Sequence, residues 1–326
     1  MDIEKRIREY GSRIQPLLEE MIPRNGPAHL AGPIWYHLDS GGKRVRPALC
    51  LLTCEAFGGE PDRALHFAAA VELMHNMFLI HDDIADGDTV RRDRPTVWDR
   101  YGIGNAVNVG DYLLGVALKA VRASRLGPAT RDRLTDLFIA TCLTTIEGQA
   151  LDINARADAH FTVEEYLRIA RLKTGDYLVL GMVGGALIAG AREDAVAVLR
   201  LLGGHLGPAF QIRDDLLDLT SAKGRGMTGS DIREGKASIL YAHALSQAPL
   251  RDRERLIAIM ARPRAETTES DVTWVRGLYE RCGSIRFAED TARQLVEQAR
   301  AAISPLPDRP RCTLEAAVAY MLERNC

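Results

Sequence analysis

Apolar residues recur at spacings of three and four along most of the chain, and no convincing stretch alternates apolar and polar residues. The first spacing is typical of amphipathic helices, whereas strict alternation would indicate half-buried strands. The chain is therefore predicted to be all-α. Helices are expected over about residues 3–22, 43–58, 62–86, 105–125, 129–153, 163–190, 193–219, 237–246, 251–262, 270–300 and 313–323.

Residues that begin or interrupt helices lie at several of these positions. Thr162 and Glu165 have the spacing of a capping box, and Pro61 lies where a helix should begin. Paired glycines together with Pro208 predict a break or kink within the helix over 193–219.

The composition is that of an ordinary globular protein, with 46% hydrophobic residues and 42 basic against 44 acidic residues. The formal net charge of −2 gives no reason to expect a nucleic-acid partner. The longest apolar run, Leu178–Ala191, is too short to span a membrane and predicts a buried helix, in which Gly184 and Gly185 would allow close packing. Because no low-complexity linker divides the chain, residues 1–326 are predicted to form a single domain, one large helical bundle.

The six cysteines are scattered, and none has the paired spacing of a zinc site. Cys50 and Cys54 lie one helical turn apart on an apolar face, which favours core packing. The N-terminal segment lacks the apolar region of a secretory signal. A reducing, cytoplasmic location is therefore expected.

Two segments of the form D-D-x-x-D, Asp82–Asp86 and Asp214–Asp218, lie at the ends of long apolar helices. In each segment the first and last aspartates are four residues apart and share a helical face. Acidic side chains at a helix C-terminus oppose the helix dipole and repel one another, so two such segments indicate a cationic ligand. Mg²⁺ binds carboxylate, water and phosphate oxygens, so two facing clusters would clamp one diphosphate through bridging Mg²⁺. The alternative for one cluster alone is a solvated acidic helix end, and the second copy disfavours it.

Basic residues near these segments supply the rest of a diphosphate site, because Arg binds phosphate oxygens through paired N–H groups and Lys adds a point charge. They are Lys43 and Arg46 after a Gly-Gly pair, Arg91-Arg92 after the first acidic segment, Lys173 with Thr174, and Lys236. The run Gly224-x-Gly226-x-x-Gly229 matches a dinucleotide-binding fingerprint, but no strand precedes it, so it is interpreted as a loop.

Taken in order, the motifs G-G-K-R-x-R-P, D-D-x-x-D followed by R-R, K-T, and Q-x-x-D-D-x-x-D resemble those of the trans-prenyltransferases (polyprenyl diphosphate synthases), which include geranylgeranyl and farnesyl diphosphate synthases. The resemblance runs from Lys43 to Lys236. It implies an all-α bundle of the isoprenoid synthase type around a central apolar cavity. It also implies a Mg²⁺-dependent condensation of isopentenyl diphosphate with an allylic diphosphate to a linear product, three Mg²⁺ per active site, and a homodimer.

The resemblance also implies a role for each matching residue. Isopentenyl diphosphate would be bound by Lys43, Arg46, His75 and Arg92. Mg²⁺ would be bound by Asp82, Asp86, Asp214 and Asp218. The allylic diphosphate would be bound by Arg91, Lys173, Thr174, Gln211 and Lys236. Catalysis would depend most on Asp82, Asp86, Asp214, Lys173 and Arg91.

Product length is expected to depend on the helix that precedes the first acidic segment. Phe78, Met74 and Val71 lie on the same helical face as Asp82, and Met77 is the neighbour of Phe78. In the family that this sequence resembles, bulky residues four and five positions before the cluster form a floor that stops elongation. One rigid ring beside one flexible methionine favours a C20 product over a C15 product.

Three positions depart from the family pattern. Met227 stands where a lysine is usual, Asp93 follows Arg91-Arg92 where glycine is usual, and Cys326 is the last residue where a basic residue is common. These departures concern the strength of allylic diphosphate binding rather than the class of reaction.

Two alternatives of different function remain open at this point. A terpene cyclase of related fold would ionise a finished prenyl diphosphate with a single D-D-x-x-D segment. A non-catalytic partner subunit would be expected to have lost its carboxylates. The intact second segment disfavours both, and so do the residues that match an isopentenyl diphosphate site.

Overall fold

The computed structural model describes residues 2–220 and 228–323, and in these ranges it confirms the predicted all-α class. The α-helices are α1 (Ile3–Ser12), α2 (Gln15–Met21), α3 (Ala28–Leu38), α4 (Val45–Ala56), α5 (Leu65–Ala85), α6 (Val97–Tyr101), α7 (Ile103–Ala123), α8 (Pro128–Asn154), α9 (Val163–Ala170), α10 (Asp176–Ile188), α11 (Glu193–Thr220), α12 (Ser230–Arg233), α13 (Ile239–Gln247), α14 (Leu250–Met260), α15 (Glu269–Arg281), α16 (Ser284–Ile303) and α17 (Asp308–Glu323). Turns of 3₁₀-helix cover Pro61–Ala64 and Arg264–Glu266, and a turn of π-helix covers Arg171–Gly175. Strands β1 (Val90–Arg91) and β2 (Arg94–Pro95) pair as an antiparallel hairpin.

Three long helices of the sequence prediction are divided in the structure, and the two over 3–22 and 270–300 are each two helices. The predicted helix over 3–22 divides between α1 and α2, where Pro16 lies in the first turn of α2 and cannot continue a helix from α1. The predicted helix over 270–300 divides at Gly283, whose φ of +69° lies in the left-handed region that commonly ends helices.

The predicted helices do not cover α3, the hairpin, α6 or α12. Helix α3 follows Pro27 and contains Pro33, and prolines at such spacing are typical of loops rather than of helices. The strands of the hairpin contain two residues each, too few for alternation to be visible.

The segment over 163–190 is not one helix but α9, the π-turn Arg171–Gly175 and α10. The capping box at its start is confirmed, since the Thr162 side chain accepts from the backbone N–H of Glu165 and the Glu165 side chain accepts from that of Thr162.

The sequence predicts a break or a kink near Pro208, and a break is wrong, because α11 is continuous through this residue. Its Gly207 lies so close to Gly175 that an added Cβ would overlap the Gly175 backbone, so the glycine serves packing rather than helix termination. By length and composition α11 could cross a membrane, with a mean hydropathy of 1.2 over its best window, but half of that window is buried in the protein.

The protein divides into two compact units. The first unit comprises Met1–Cys142, Leu178–Leu202 and Ala302–Cys326. Within it α5 packs against α4 and α7, and α1 and α17 pack against α4. Cys50 and Cys54 are buried as predicted. The predicted close packing at Gly185 is also confirmed, because an added Cβ there would overlap the backbone oxygen of Cys50.

The second unit comprises Leu143–Tyr177 and Gly203–Ala301. Its core is built where α9, α13, α14 and α15 meet, around the fully buried rings of Tyr241 and Tyr279. The short helix α12 packs on α15 and precedes Lys236. This packing fixes the segment that follows the second acidic cluster.

Candidate active site

In the first unit, the glycine-rich loop before α4 is held by Arg44. This residue has a φ of +47°, and its guanidinium pairs with the carboxylate of Glu72, which is 3% exposed. The same carboxylate accepts from Asn76 Nδ2 at 2.9 Å. Because an unpaired charge would be costly at this depth, the pair fixes the start of α4 between Lys43 and Arg46. Lys43 is exposed, as a residue that binds a charged ligand should be.

Arg46 and His75 lie together, with Arg46 Nη1 3.5 Å from His75 Nε2. Burial, and then the guanidinium groups of Arg46, Arg92 and Arg91, hold the pKa of His75 well below its ordinary value of 6.5. The imidazole is therefore neutral at neutral pH and offers one donor and one acceptor without adding charge. Three residues predicted to bind isopentenyl diphosphate thus influence one another in this unit.

The turn of the hairpin consists of Arg92 and Asp93, whose φ values are +54° and +58°. Positive φ at both central residues suits the twist of a two-residue hairpin turn. Asp93, which replaces the glycine usual in the family, therefore occupies a left-handed position that aspartate tolerates better than most residues. Arg92 donates to Ser40 Oγ at 3.1 Å and to the backbone oxygen of Gly41, so the turn holds the glycine-rich loop.

Arg91 is directed to the first acidic segment, where its Nε donates to Asp83 Oδ1 at 2.6 Å. Asp83 is 1% exposed, and burial raises its carboxyl pKa to about 7 although Arg91 opposes the shift. Asp82 and Asp86 are half-buried at the end of α5, where the Asp86 N–H donates to the Asp82 carbonyl at 2.8 Å. Asp83, the middle aspartate of the segment, is therefore buried in the protein, whereas the two predicted Mg²⁺ ligands are partly exposed.

The residues predicted to limit product length are buried on α5. Phe78 is 8% exposed, and Met77 and Met74 are 2% and 0% exposed. All three therefore lie inside the first unit rather than on its surface. Their role in setting product length stays a prediction.

In the second unit, Lys173 and Thr174 lie in the π-turn Arg171–Gly175. Such turns insert an extra residue into a helix and often occur at functional sites. An added Cβ at Gly148 would overlap the Lys173 backbone, so the glycine allows α8 to approach the turn closely. Lys173 Nζ donates to Asp152 Oδ2 at 2.6 Å. Burial alone would raise the Asp152 pKa, but Lys173 and Lys236 lower it below its ordinary value, so the carboxylate stays ionised.

Lys236 lies between two carboxylates of the second unit. Its Nζ donates to Asp215 Oδ1 at 2.9 Å and to Asp231 Oδ2 at 3.1 Å. Burial would lower the pKa of Lys236, but Asp215, Asp231 and Asp152 hold it well above its ordinary value. Gln211 Nε2 also donates to Asp215 Oδ1, at 3.3 Å, so both of these predicted allylic-site residues meet at one carboxylate.

The two predicted Mg²⁺ ligands of the second segment differ in their surroundings. Asp214 is half-buried and contributes to the raised pKa of Lys236. Asp218 is 1% exposed; it accepts from Ser230 Oγ at 3.1 Å and from the Asp231 backbone N–H at 3.0 Å. Asp214 therefore acts electrostatically on Lys236, whereas Asp218 is hydrogen-bonded to the start of α12.

Sequence reasoning missed Asp152, Tyr166 and Asp231, which all contact or influence the lysines of this unit. Asp231 was detectable, because it precedes Lys236 by five residues in the segment 229–236, which has the form G-x-D-x-x-x-x-K. Asp152 and Tyr166 lie within ordinary helical patterns and carried no such signal. Four residues that the sequence analysis names lie outside the residues that the structure describes: Gly224, Gly226, Met227 and Cys326.

The donors that the structure offers fit Mg²⁺ better than a metal held by protein alone. Within residues 2–220 and 228–323 no three His, Cys, Asp or Glu side chains are grouped to hold a metal ion. Mg²⁺ usually takes one or two carboxylates and completes its shell with waters and phosphates. The half-buried Asp82, Asp86 and Asp214 suit this role, and the buried Asp218 also accepts hydrogen bonds from the start of α12.

Comparisons with known proteins agree with this chemistry. Residues 27–276 match the family model of polyprenyl synthetase. The chain is 32% identical to geranylgeranyl diphosphate synthase of Methanosarcina mazei, over 100% of this chain and 99% of that protein. It is similar to the structure of geranylgeranyl pyrophosphate synthetase from Pyrococcus horikoshii, with a TM-score of 0.90 and 34% identity over 99% of both chains. It is also similar to geranylgeranyl pyrophosphate synthase from Corynebacterium glutamicum in complex with isoprenyl diphosphate and magnesium, with a TM-score of 0.85 and 27% identity over 99% of both chains.

The fold, the charged clusters and these matches define the class of protein: an all-α prenyltransferase with the isoprenoid synthase fold. The chain belongs to the polyprenyl synthetase family. The resemblance inferred from the motifs is thereby confirmed, and the relatives favour elongation of a linear product over the two alternative functions.

Proposed function

We propose that this protein condenses isopentenyl diphosphate with an allylic diphosphate to give geranylgeranyl diphosphate, the C20 product, with farnesyl diphosphate as the next choice. One observation carries the proposal: each unit holds anchored cations together with at least one half-buried aspartate of a D-D-x-x-D segment. In the first unit the cations are Arg46, Arg91 and Arg92, and in the second they are Lys173 and Lys236. The names of the relatives support the C20 length.

Isopentenyl diphosphate is assigned to Lys43, Arg46, His75 and Arg92 of the first unit. The pairing of Arg44 with Glu72 and the contact of Arg92 with Gly41 hold the loop that carries Lys43. Guanidinium groups bind phosphate oxygens through charge-assisted hydrogen bonds, and the neutral His75 adds a donor without repelling them.

The allylic diphosphate is assigned to Arg91 together with Lys173, Thr174, Gln211 and Lys236. Lys173 and Lys236 each donate to a carboxylate, which holds the ammonium groups in place. Their positive charge would stabilise the diphosphate as it leaves, which is when negative charge develops on the bridging oxygen.

Enzymes of this family depend on Mg²⁺. Asp82, Asp86, Asp214 and Asp218 would hold Mg²⁺ at the allylic diphosphate, and Asp218 is also hydrogen-bonded to the start of α12. When bound, Mg²⁺ neutralises diphosphate charge as a Lewis acid, and we propose three ions per active site.

The reaction itself asks little of protein acids and bases. The bond between the allylic carbon and its diphosphate breaks, the isopentenyl double bond attacks that carbon, and one carbon–carbon bond forms. A proton is then lost to the departed diphosphate, which leaves a longer allylic diphosphate and pyrophosphate. The residues bind and orient the two substrates, which raises their effective concentration, and the apolar helices keep water from the cationic carbon.

Product analysis tests this function directly. The purified protein is incubated with Mg²⁺, isopentenyl diphosphate and a C5, C10 or C15 allylic primer, and the dephosphorylated products are identified by mass. Linear C20 alcohol as the main product is expected. Asp82→Ala should abolish it, whereas Asp93→Gly, at the hairpin turn, should retain it. Cyclic hydrocarbons from a single substrate, or no turnover, would contradict the proposal.

We also propose that the single domain acts as a cytoplasmic homodimer. Helix α8 carries the exposed apolar residues Ile139, Leu143 and Ile146 at spacings of four and three, so they share one face. An apolar face of this kind is typical of protein interfaces. Leu143→Glu should therefore lower the molar mass in light scattering from that of two copies to that of one, 35.9 kDa. Leu250→Glu, at an exposed leucine on α14, is the control and should leave the mass unchanged.

A further inference from the structure

Tyr166, on α9, ends against a buried carboxylate of the second acidic segment. Its side chain is 4% exposed, and its hydroxyl donates to Asp215 Oδ2 at 2.7 Å. The other oxygen of the same carboxylate accepts from Lys236 Nζ and from Gln211 Nε2. One carboxylate therefore connects Tyr166 to two residues assigned to the allylic diphosphate.

The burial of Asp215 makes the tyrosine hydroxyl hard to replace. The Asp215 side chain is 0% exposed, so bulk water does not reach Oδ2. A buried carboxylate oxygen that loses its donor is left without a hydrogen bond, which is costly, so the carboxylate turns toward another donor. This rotation weakens or moves the bond between Asp215 and Lys236.

Lys236 depends on this bond for its position. An ammonium group has three N–H donors, and in the described part of the chain two of them go to Asp215 and Asp231. The third remains for a phosphate oxygen, and the side chain is 14% exposed, so a ligand can reach it. With one of the two carboxylate anchors displaced, the ammonium loses its fixed geometry.

We propose that Tyr166 is a positioning residue of the allylic diphosphate site. Its hydroxyl fixes the carboxylate of Asp215, which in turn fixes the ammonium of Lys236. Tyr166 acts through these two residues and not on the reacting atoms. The inference rests on the proposed function of Lys236 as a ligand of the allylic diphosphate.

Steady-state kinetics of Tyr166→Phe tests the proposal, because this change removes only the hydroxyl. We expect the KM for the allylic primer to rise about tenfold, as for one lost hydrogen bond to a charged group, while the KM for isopentenyl diphosphate stays within about twofold. Tyr241→Phe is the matched control: Tyr241 is fully buried in the same unit and donates to the Asp158 carbonyl at 2.9 Å. It should change neither KM. Equal KM increases for both substrates, or wild-type values in Tyr166→Phe, would overturn the proposal.

A double variant separates positioning from a general effect on the fold. If Tyr166 acts through Lys236, adding Tyr166→Phe to Lys236→Ala should leave the primer KM of the single Lys236→Ala variant unchanged. A further tenfold rise in the double variant would mean that Tyr166 acts by another route and would overturn the proposal.

Binding of magnesium pyrophosphate gives a readout that does not need turnover. Isothermal titration should show a Kd about tenfold weaker for Tyr166→Phe than for the wild type and Tyr241→Phe. If the wild type binds magnesium pyrophosphate but makes no prenyl product, the proposed function is wrong and the positioning role is still decided by these Kd values. The same Kd in all three proteins, or no binding by the wild type, would overturn the positioning role.

Discussion

Replacement of Phe78 by alanine should lengthen the product by one isoprene unit. At about 1.5 Å of rise per residue, Phe78 stands roughly 6 Å from Asp82 along α5, and Met74 stands roughly 12 Å from it. Removal of the ring therefore frees about 6 Å before the Met74 side chain is reached. One isoprene unit lengthens the prenyl tail by four carbon–carbon bonds, which extend over roughly 5 Å. The expected shift is thus from C20 to C25.

The loss of a buried ring also has a cost in stability. Phe78 is 8% exposed, and a Phe→Ala change in a core typically costs about 3–5 kcal/mol out of a total of about 5–15 kcal/mol. Assays at 25 °C and a check of helical content by circular dichroism are therefore needed. Phe138→Ala, at a fully buried phenylalanine of α8, is the matched control and should lose similar stability without a change in product length.

Mass analysis of the dephosphorylated alcohols decides the outcome. A C25 alcohol as the main product of Phe78→Ala would support the prediction that Phe78 forms the floor that stops elongation. If Phe78→Ala is folded and active and gives the wild-type product length, then Phe78 is an ordinary core residue and the reasoning from helical spacing is refuted.

Three further predictions follow from the charged groups. Asp214→Ala should lower kcat by about 10²–10³ with little change in Tm. Asp218→Ala should also lower the free energy of unfolding by about 1–3 kcal/mol, because it leaves the donors at the start of α12 without an acceptor. Urea unfolding of both variants checks this difference, and equal stability of the two variants would contradict it. Lys43→Ala should raise mainly the KM for isopentenyl diphosphate and Lys173→Ala mainly that for the allylic primer; parallel changes would refute the two assignments. Burial, with the nearby arginines, lowers the pKa of His37 from 6.5 to about 3, so the stabilising contribution of His37 is present above pH 6.5 and is lost as the pH falls. The free energy of unfolding of the wild type should therefore exceed that of His37→Asn by an amount that shrinks by about 1.4 kcal/mol per pH unit below 6.5. A difference in free energy of unfolding that does not change with pH would be evidence against this reasoning.

The long helices could be predicted because each carries a continuous apolar stripe with clear end signals. Helices α7 and α8 begin and end within a few residues of the predicted bounds. Where the signals conflict, the prediction is wrong: no helix is predicted over α3, which contains Pro33, and the break expected near Pro208 falls inside the continuous α11. Tertiary packing decides these cases, and a single-sequence pattern does not contain it.

The candidate site was predictable at the level of motifs but not of individual carboxylates. Helical spacing places Asp214 and Asp218 on one face and treats them as equivalent. The structure separates them, because Ser230 and the Asp231 backbone contact Asp218. That contact joins residues twelve or more positions apart, so no helical period reveals it. Tyr166 is missed for the same reason, since its partner Asp215 is 49 positions away.

The two-residue turn between β1 and β2 makes this stretch intolerant of insertions and deletions. Its neighbouring arginines extend toward different partners, Arg91 to Asp83 and Arg92 to the loop at Ser40. Adding or removing one residue would disrupt the two-residue turn and shift the register between β1 and β2, so Arg91 and Arg92 would no longer both reach these partners. A library of single-codon length variants should therefore be depleted of active members across Val90–Pro95.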